Sequence, residues 1–309
     1  MLTRATFRGP WAGLPVAWTA ADTFAEAVYR EDVARCCRAG VPGVYTAGTT
    51  GEFYAMDWEE WEAVSRATVE TCRSHGTPCM LGCTSTYTRG AQRRAALAAR
   101  LGAAAVQVAL PFWMEVPDDQ VVPFFQAVAA AAEGLPLSVY ETTRTKKTLT
   151  VDQHRRLKDA VPQYLMVKAN ANTVGATAAG CRALAEVVNV FVGEHRWAEL
   201  CPCGAAGSCS SLVYWNPRVI LGLWASAAAQ DWAALRAGCA RLEALDAFLG
   251  ERYEPAGFTD TAYDRMGGRA FGFLESSLHN RGPYVSPTQQ DVEDLRAWCR
   301  AHFPEMLAL

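Results

Sequence analysis

The chain has 309 residues, half of them apolar, with 29 basic against 32 acidic side chains and a formal charge of −3. That length can bury a large core and predicts one large α/β unit or two domains. A near-balanced charge without a Lys/Arg block argues against a nucleic-acid partner. The short cluster Arg144, Lys146, Lys147 fits either a loop meeting a small anion or a solvated turn. The N-terminus lacks the apolar run of a secretory signal. The most apolar stretches, 101–116 and 121–140, are interrupted by Gln107, Pro111, Gln126, Glu133 and Pro136, which argues against membrane spans. A soluble, cytoplasmic protein is expected. Its eleven cysteines are expected to be reduced. Cys201, Cys203 and Cys209 form the one dense group, but only His195 lies near it in sequence. No metal or organic cofactor is expected.

In chain order, short β-like runs alternate with amphipathic helical ones. The predicted strands are Pro15–Thr19, Gly43–Ala47, Met80–Thr84, Ala105–Leu110, Leu137–Tyr140, Leu165–Lys168, Val190–Val192 and Ser208–Val213. Predicted helices between them include Trp58–Cys72, Ala91–Leu101, Pro123–Ala132 and Val151–Ala160. Such alternation reads as parallel βαβ units, and eight strands suffice to close a (β/α)8 TIM barrel. An open doubly wound sheet usually carries a glycine-rich turn after its first strand, and Thr19–Thr23 has none. Beyond Ala227 only helices are predicted, at Asp231–Leu249, Ala270–Leu278 and Gln289–Phe303. The expected organisation is a barrel over 1–226 and a C-terminal helical domain over 227–309.

In such barrels chemistry sits at the C-terminal ends of strands. The run Gly48, Thr49, Thr50, Gly51, Glu52 follows the second strand. Its amides and hydroxyls can converge on a carboxylate, or form only a tight turn. Tyr140 ends the fifth strand on one face with Ser138, and either meets a substrate or packs as a core tyrosine bonded to a carbonyl. Lys168 ends the sixth strand, sharing a face with Met166. An ordinary lysine, with a pKa of about 10.4, offers less than ~one part in a thousand as free amine at neutral pH. Lowering that value to about 7.4 costs about 4 kcal/mol, and desolvation is one way to do it. Lys168 is therefore either a Schiff-base lysine or a strand-end lysine snorkelling to solvent.

Together these pieces resemble the dihydrodipicolinate synthase / N-acetylneuraminate lyase family of pyruvate-dependent aldolases. The resemblance rests on four segments in order: Gly43–Glu52, Pro136–Tyr140, Leu165–Lys168, and Gly204–Ser208 running on to Asn216 and Pro217. It implies a class I aldolase or lyase with Lys168 as the imine-forming lysine and Tyr140 as the acid/base. Thr49 and Thr50 are implied to bind the keto-acid carboxylate beside Gly48, with Thr49 relaying protons. Arg144, Trp113 and Ser208 are implied as further substrate contacts. The implied partners are a pyruvate-like 2-oxo acid and an aldehyde, in a homo-oligomer (tetramer or dimer).

The departures fall in the substrate loops. Trp113 follows Pro111 and Phe112 where lysine-pathway synthases usually have a relaying tyrosine, and an indole cannot relay a proton as a phenol does. Glu141, Thr142, Thr143 and Arg144 follow Tyr140, where the family commonly shows Asn and Pro. Ala169 and Asn170 follow Lys168 in place of an acidic residue. The Pro-Phe-Trp run resembles hydratase-aldolases acting on aromatic substrates. Two other functions are weighed: a catalytically silent small-acid sensor on the same barrel, and a glycoside hydrolase using Glu141 and Glu194 as its carboxylate pair.

Overall fold

In the computed structural model, which describes residues 2–309, eight strands follow one another in a closed ring. They are β1 (Gly9–Gly13), β2 (Val44–Thr46), β3 (Cys79–Gly82), β4 (Ala105–Val108), β5 (Leu137–Tyr140), β6 (Tyr164–Lys168), β7 (Asn189–Phe191) and β8 (Ala205–Ser210). Helices α1 (Glu26–Arg38), α2 (Trp58–Ser74), α3 (Thr88–Leu101), α4 (Asp118–Ala131), α5 (Val151–Ala160), α6 (Ala178–Ala185) and the short α7 (Trp197–Leu200) alternate with them. After β8 come α8 (Pro217–Ala228), α9 (Trp232–Tyr253), α10 (Asp260–Ala270) and α11 (Gln289–His302). This is the expected TIM barrel with C-terminal helices. Among the described residues, no helix is long and apolar enough to cross a membrane.

The chain packs as two compact units, each discontinuous in sequence. One comprises residues up to Gly9 together with Pro78–Cys209, and the other Pro10–Thr77 with Ser210–Leu309. In the first, β3 to β8 pair in parallel, and Tyr140 stands in register with Lys168 on neighbouring strands. In the second, β1 pairs with β2, and four further helices follow the last strand.

Local signals explain most boundaries. Thr150 opens α5 with a capping box: its hydroxyl accepts from Gln153 N while the Gln153 side chain accepts from Thr150 N. Asp57 and Glu60 do the same for α2, and Thr288 with Asp291 for α11.

Three predicted elements are corrected. The first strand is Gly9–Gly13, not Pro15–Thr19, which holds only an isolated bridge from Trp18 to Phe24. Ala12 N and Leu14 N donate to Gly43 O and Tyr45 O, so the ladder begins earlier. Trp11 lies so tightly on Gly43 that a Cβ there would stand 2.4 Å from its ring, a fit that a single-sequence reading of two glycines misses. The last strand is Ala205–Ser210, not Ser208–Val213, because Ser210 Oγ accepts from Val213 N and turns the chain into a 3-10 turn. The predicted helix Ala270–Leu278 lies instead at Asp260–Ala270. Gly272, at φ +73°, ends it in the left-handed region, and the next amides, Glu275 N and Ser276 N, donate to the buried carboxylate of Asp32.

Candidate active site

Side chains inside the barrel meet in one layer. Gln107 Nε2 donates to Ser138 Oγ at 3.0 Å, and Ser138 Oγ lies 3.2 Å from Met166 Sδ. Gln107 also reaches Cys209 Sγ at 3.7 Å. Strands β4 and β8 are not neighbours in the ring, so that contact crosses the interior and fixes which faces point inward. By alternation, Tyr140 and Lys168 lie on the same inward faces as Ser138 and Met166. Gln107 and Cys209 carried no predicted role. Alternation along β4 gave the inward face, but the meeting with Cys209 depends on ring closure.

Above this layer Lys168 Nζ sits 4.2 Å from the centroid of the Tyr140 ring. Tyr140 is 5% exposed, whereas Lys168 is half-buried. Burial pushes the Cys209 thiol up, while the charge of Lys168 draws it the other way. Asn170, two residues past the lysine, donates its amide to Tyr140 Oη at 3.4 Å.

Glu141 adjoins both residues. Its N–H donates to Lys168 O at 3.0 Å, and its carboxylate turns to the backbone, accepting from Leu149 N at 2.6 Å. The other oxygen faces His154 Nε2 across 3.2 Å without the alignment of a full hydrogen bond. On the far side, His154 Nδ1 is 2.8 Å from Tyr164 Oη. Burial pushes the Tyr164 phenol well up, so it stays protonated and donates to Nδ1. All three side chains are buried. The loop so closed, 142–149, carries Arg144, which is exposed. Its lysines tie to the loop after β4: Lys146 Nζ to Trp113 O at 2.5 Å, and Lys147 Nζ to Asp118 at 2.5 Å and Glu115 at 3.2 Å. Trp113 itself is 72% exposed, on the rim of an open hollow shared with Thr86, Pro111 and Met114.

Ser208 is buried and donates to Glu194 Oε1 at 3.1 Å. Neither carboxylate weighed for a hydrolase is therefore idle: Glu141 closes a loop and Glu194 accepts from a serine. The three clustered cysteines separate. Cys203 Sγ accepts from Arg182 Nη2 at 3.2 Å, whereas Cys209 faces the barrel interior. Among the described residues, no three His, Cys, Asp or Glu side chains converge on a point that could hold a metal ion.

The threonine turn belongs to the other unit. A Cβ at Gly48 would stand 1.9 Å from Tyr45 Oη, and one at Gly51 would stand 2.5 Å from Ala47 N. Both glycines are required by crowding. The left-handed positions are Ala47 and Glu52 instead, at φ 55° and 51°. Glu52 is fully buried and holds the turn in place: it accepts from Trp18 Nε1 at 2.7 Å, Arg265 Nη2 at 2.5 Å and Arg281 N at 3.2 Å. Thr49 O accepts from Glu52 N and from Thr261 Oγ1, leaving the half-buried Thr49 and Thr50 at the crest.

An eight-stranded parallel barrel with a lysine and a tyrosine in register at the ends of adjacent strands defines a TIM-barrel protein. The chain belongs to the Dihydrodipicolinate synthetase family, whose sequence profile matches residues 6–297. Among curated relatives, the 4-hydroxy-tetrahydrodipicolinate synthase of Synechocystis sp. is 31% identical over 121 residues, 39% of this chain and 40% of that protein. The N-acetylneuraminate lyase of an Enterobacter species is 32% identical over 116 residues, 37% of this chain and 38% of that one. The matched part thus spans well under half the length of these two relatives. Among solved structures, a prophage protein of the dihydrodipicolinic acid synthase family from E. coli K12, in complex with pyruvate, aligns with a TM-score of 0.84 at 19% identity over 96% of this chain and 98% of that one. PhdJ bound to a substrate intermediate aligns with a TM-score of 0.83 at 21% identity, over 97% and 99%. At these identities the structural likeness speaks for the fold.

Proposed function

We propose that the protein is a cofactor-independent class I lyase or aldolase that forms an imine between Lys168 and a pyruvate-like 2-oxo acid. The observation that carries this reading is the pairing of Lys168 with Tyr140 on adjacent strand ends, the amine 4.2 Å from the ring centroid. Membership of the family supports it.

The neutral amine attacks the 2-carbonyl carbon, and the carbinolamine hydroxyl leaves as water with the proton of the Tyr140 phenol, giving a protonated imine and a Tyr140 phenolate. As C3–H breaks, its electrons flow to the imine nitrogen and the Tyr140 oxygen takes the proton. The enamine carbon attacks an aldehyde, and Tyr140 returns the proton to the new alkoxide. Run backwards, the same steps cleave the C3–C4 bond; loss of a hydroxyl from the enamine gives the hydro-lyase outcome. A positioned acid/base contributes roughly 10² to 10⁴ in rate. The resemblance to the family assigns the carboxylate to the amides and hydroxyls of the Gly48–Thr50 turn. Ser208 supports the site from β8. Trp113 and Arg144, on loops tied together through Lys146, meet the distal part of the substrate. The open hollow beside Trp113 suits an apolar or aromatic aldehyde.

Borohydride reduction with pyruvate, read by intact mass, tests the assignment. The native chain gains one reduced pyruvate and Lys168→Ala gains none. Tyr140→Phe still traps pyruvate but loses about 10²-fold or more in exchange of the pyruvate methyl protons in D2O. An unmodified native chain would favour a silent acid-binding relative.

A further inference from the structure

We infer that Asn170 is a positioning residue of the proton transfer: its side-chain amide holds the Tyr140 oxygen so that the phenolic proton is aimed at the substrate. The inference rests on the imine reading and adds to it a residue that the sequence marked only as a departure after the lysine.

Its geometry is local and anchored. Asn170 Nδ2 donates to Tyr140 Oη at 3.4 Å. Beneath it, Ala169 N extends the β6 ladder to Phe191 O at 2.8 Å. Asn170 O accepts from both Thr173 N, at 3.1 Å, and Thr173 Oγ1, at 2.7 Å. The return of this loop is packed so closely that a Cβ on Gly175 would stand 2.8 Å from Ala169 Cβ. The amide therefore sits on a fixed shelf at the end of the strand that ends in Lys168.

The chemistry follows from donor and acceptor inventories. A phenol has one proton and oxygen lone pairs; an amide N–H can only donate. A donor on the Tyr140 oxygen occupies a lone pair and does not use the O–H. When the phenol has given up its proton, the same N–H faces a charged oxygen, and charge-assisted bonds are shorter and about twice as strong as neutral ones. A contact that is long in the resting protein thus tightens when charge develops. A carboxylate at position 170 would do the reverse, accepting the proton that has to be delivered.

The test uses the full-length protein with pyruvate alone. Imine formation is read by borohydride trapping, and enamine formation by NMR of methyl-proton exchange in D2O. In Asn170→Ala, trapping keeps its native yield while exchange slows about tenfold, the loss of one hydrogen bond to a charged group. In Asn170→Asp, exchange slows further, by about 100-fold relative to the native chain. Asn170→Ser, which keeps a polar side chain but shortens the reach, falls between the native chain and Asn170→Ala. Native exchange rates in Asn170→Ala would overturn the inference. So would Asn170→Asp exchanging as fast as Asn170→Ala, because the amide oxygen rather than its N–H would then face Tyr140. Loss of trapping along with exchange in Asn170→Ala would also overturn it, making the residue part of the scaffold. A native chain that neither traps nor exchanges pyruvate sinks the imine reading itself, a different result.

Discussion

Two buried glutamates, one in each compact unit, hold the two loops on which the proposed chemistry depends, and they do so with opposite partners. Glu52 pins the threonine turn through a fully buried ion pair with Arg265, a Trp18 indole and the Arg281 amide. Glu141 pins the 142–149 loop through the Leu149 amide and faces the His154 imidazole across 3.2 Å. The first corner is balanced charge against charge. The second holds its carboxylate with a backbone N–H beside an imidazole. Both show that a buried carboxylate can serve to hold a loop; Glu141 reads as a candidate acid in the sequence, but its side chain turns to Leu149 and α5.

The comparison breaks most visibly at Glu52. Glu52→Ala strands a buried guanidinium, and removing one partner of a buried ion pair costs about 3–5 kcal/mol. Denaturant unfolding should show that loss. A change under 1 kcal/mol would mean the Arg265 charge finds water. Glu141→Ala leaves the Leu149 amide without its acceptor, for about 1–3 kcal/mol. Hydrogen exchange should quicken at Leu149 and through 142–149 while the threonine turn keeps its protection. Uniform quickening would deny that the two corners are separate. The smallest effect is acid sensitivity at the rim of the Glu52 corner. Arg281, bidentate to Glu60 and stacked 3.7 Å over the Trp18 ring, holds the Glu60 carboxyl below its ordinary value of 4.5. A carboxyl lowered in the folded state stabilises the fold above its unfolded value, and that stability is lost as pH falls through the folded one. Glu60→Gln should therefore lower the melting temperature above pH 5 by the equivalent of about 1 kcal/mol and flatten its fall below pH 4.5. An unchanged acid limb would remove Glu60 from the account.

Much of this was legible in the sequence. The β/α rhythm gave the barrel, and the apolar runs ending at Tyr140 and Lys168 gave the fifth and sixth strands and their ends, because alternation and strand ends are local signals. Strands β1 and β8 were misplaced where glycine and serine replace apolar residues: Trp11 on Gly43, and Ser210 capping Val213, are tertiary or turn effects that periodicity does not carry. The glycines of the threonine turn read in the sequence as the means of a sharp turn, and the structure adds crowding by Tyr45 and Ala47. The partners Asn170, His154, Gln107 and Cys209 depend on strand register and ring closure, which no single window of sequence contains.

The claim that Lys168 forms an imine is tested most directly by a crystal structure of the protein soaked with pyruvate and reduced in place. The account predicts continuous density from Lys168 Nζ to C2 of the bound acid. Pyruvate bound elsewhere, or a Lys168 side chain left unmodified at full pyruvate occupancy, would contradict it.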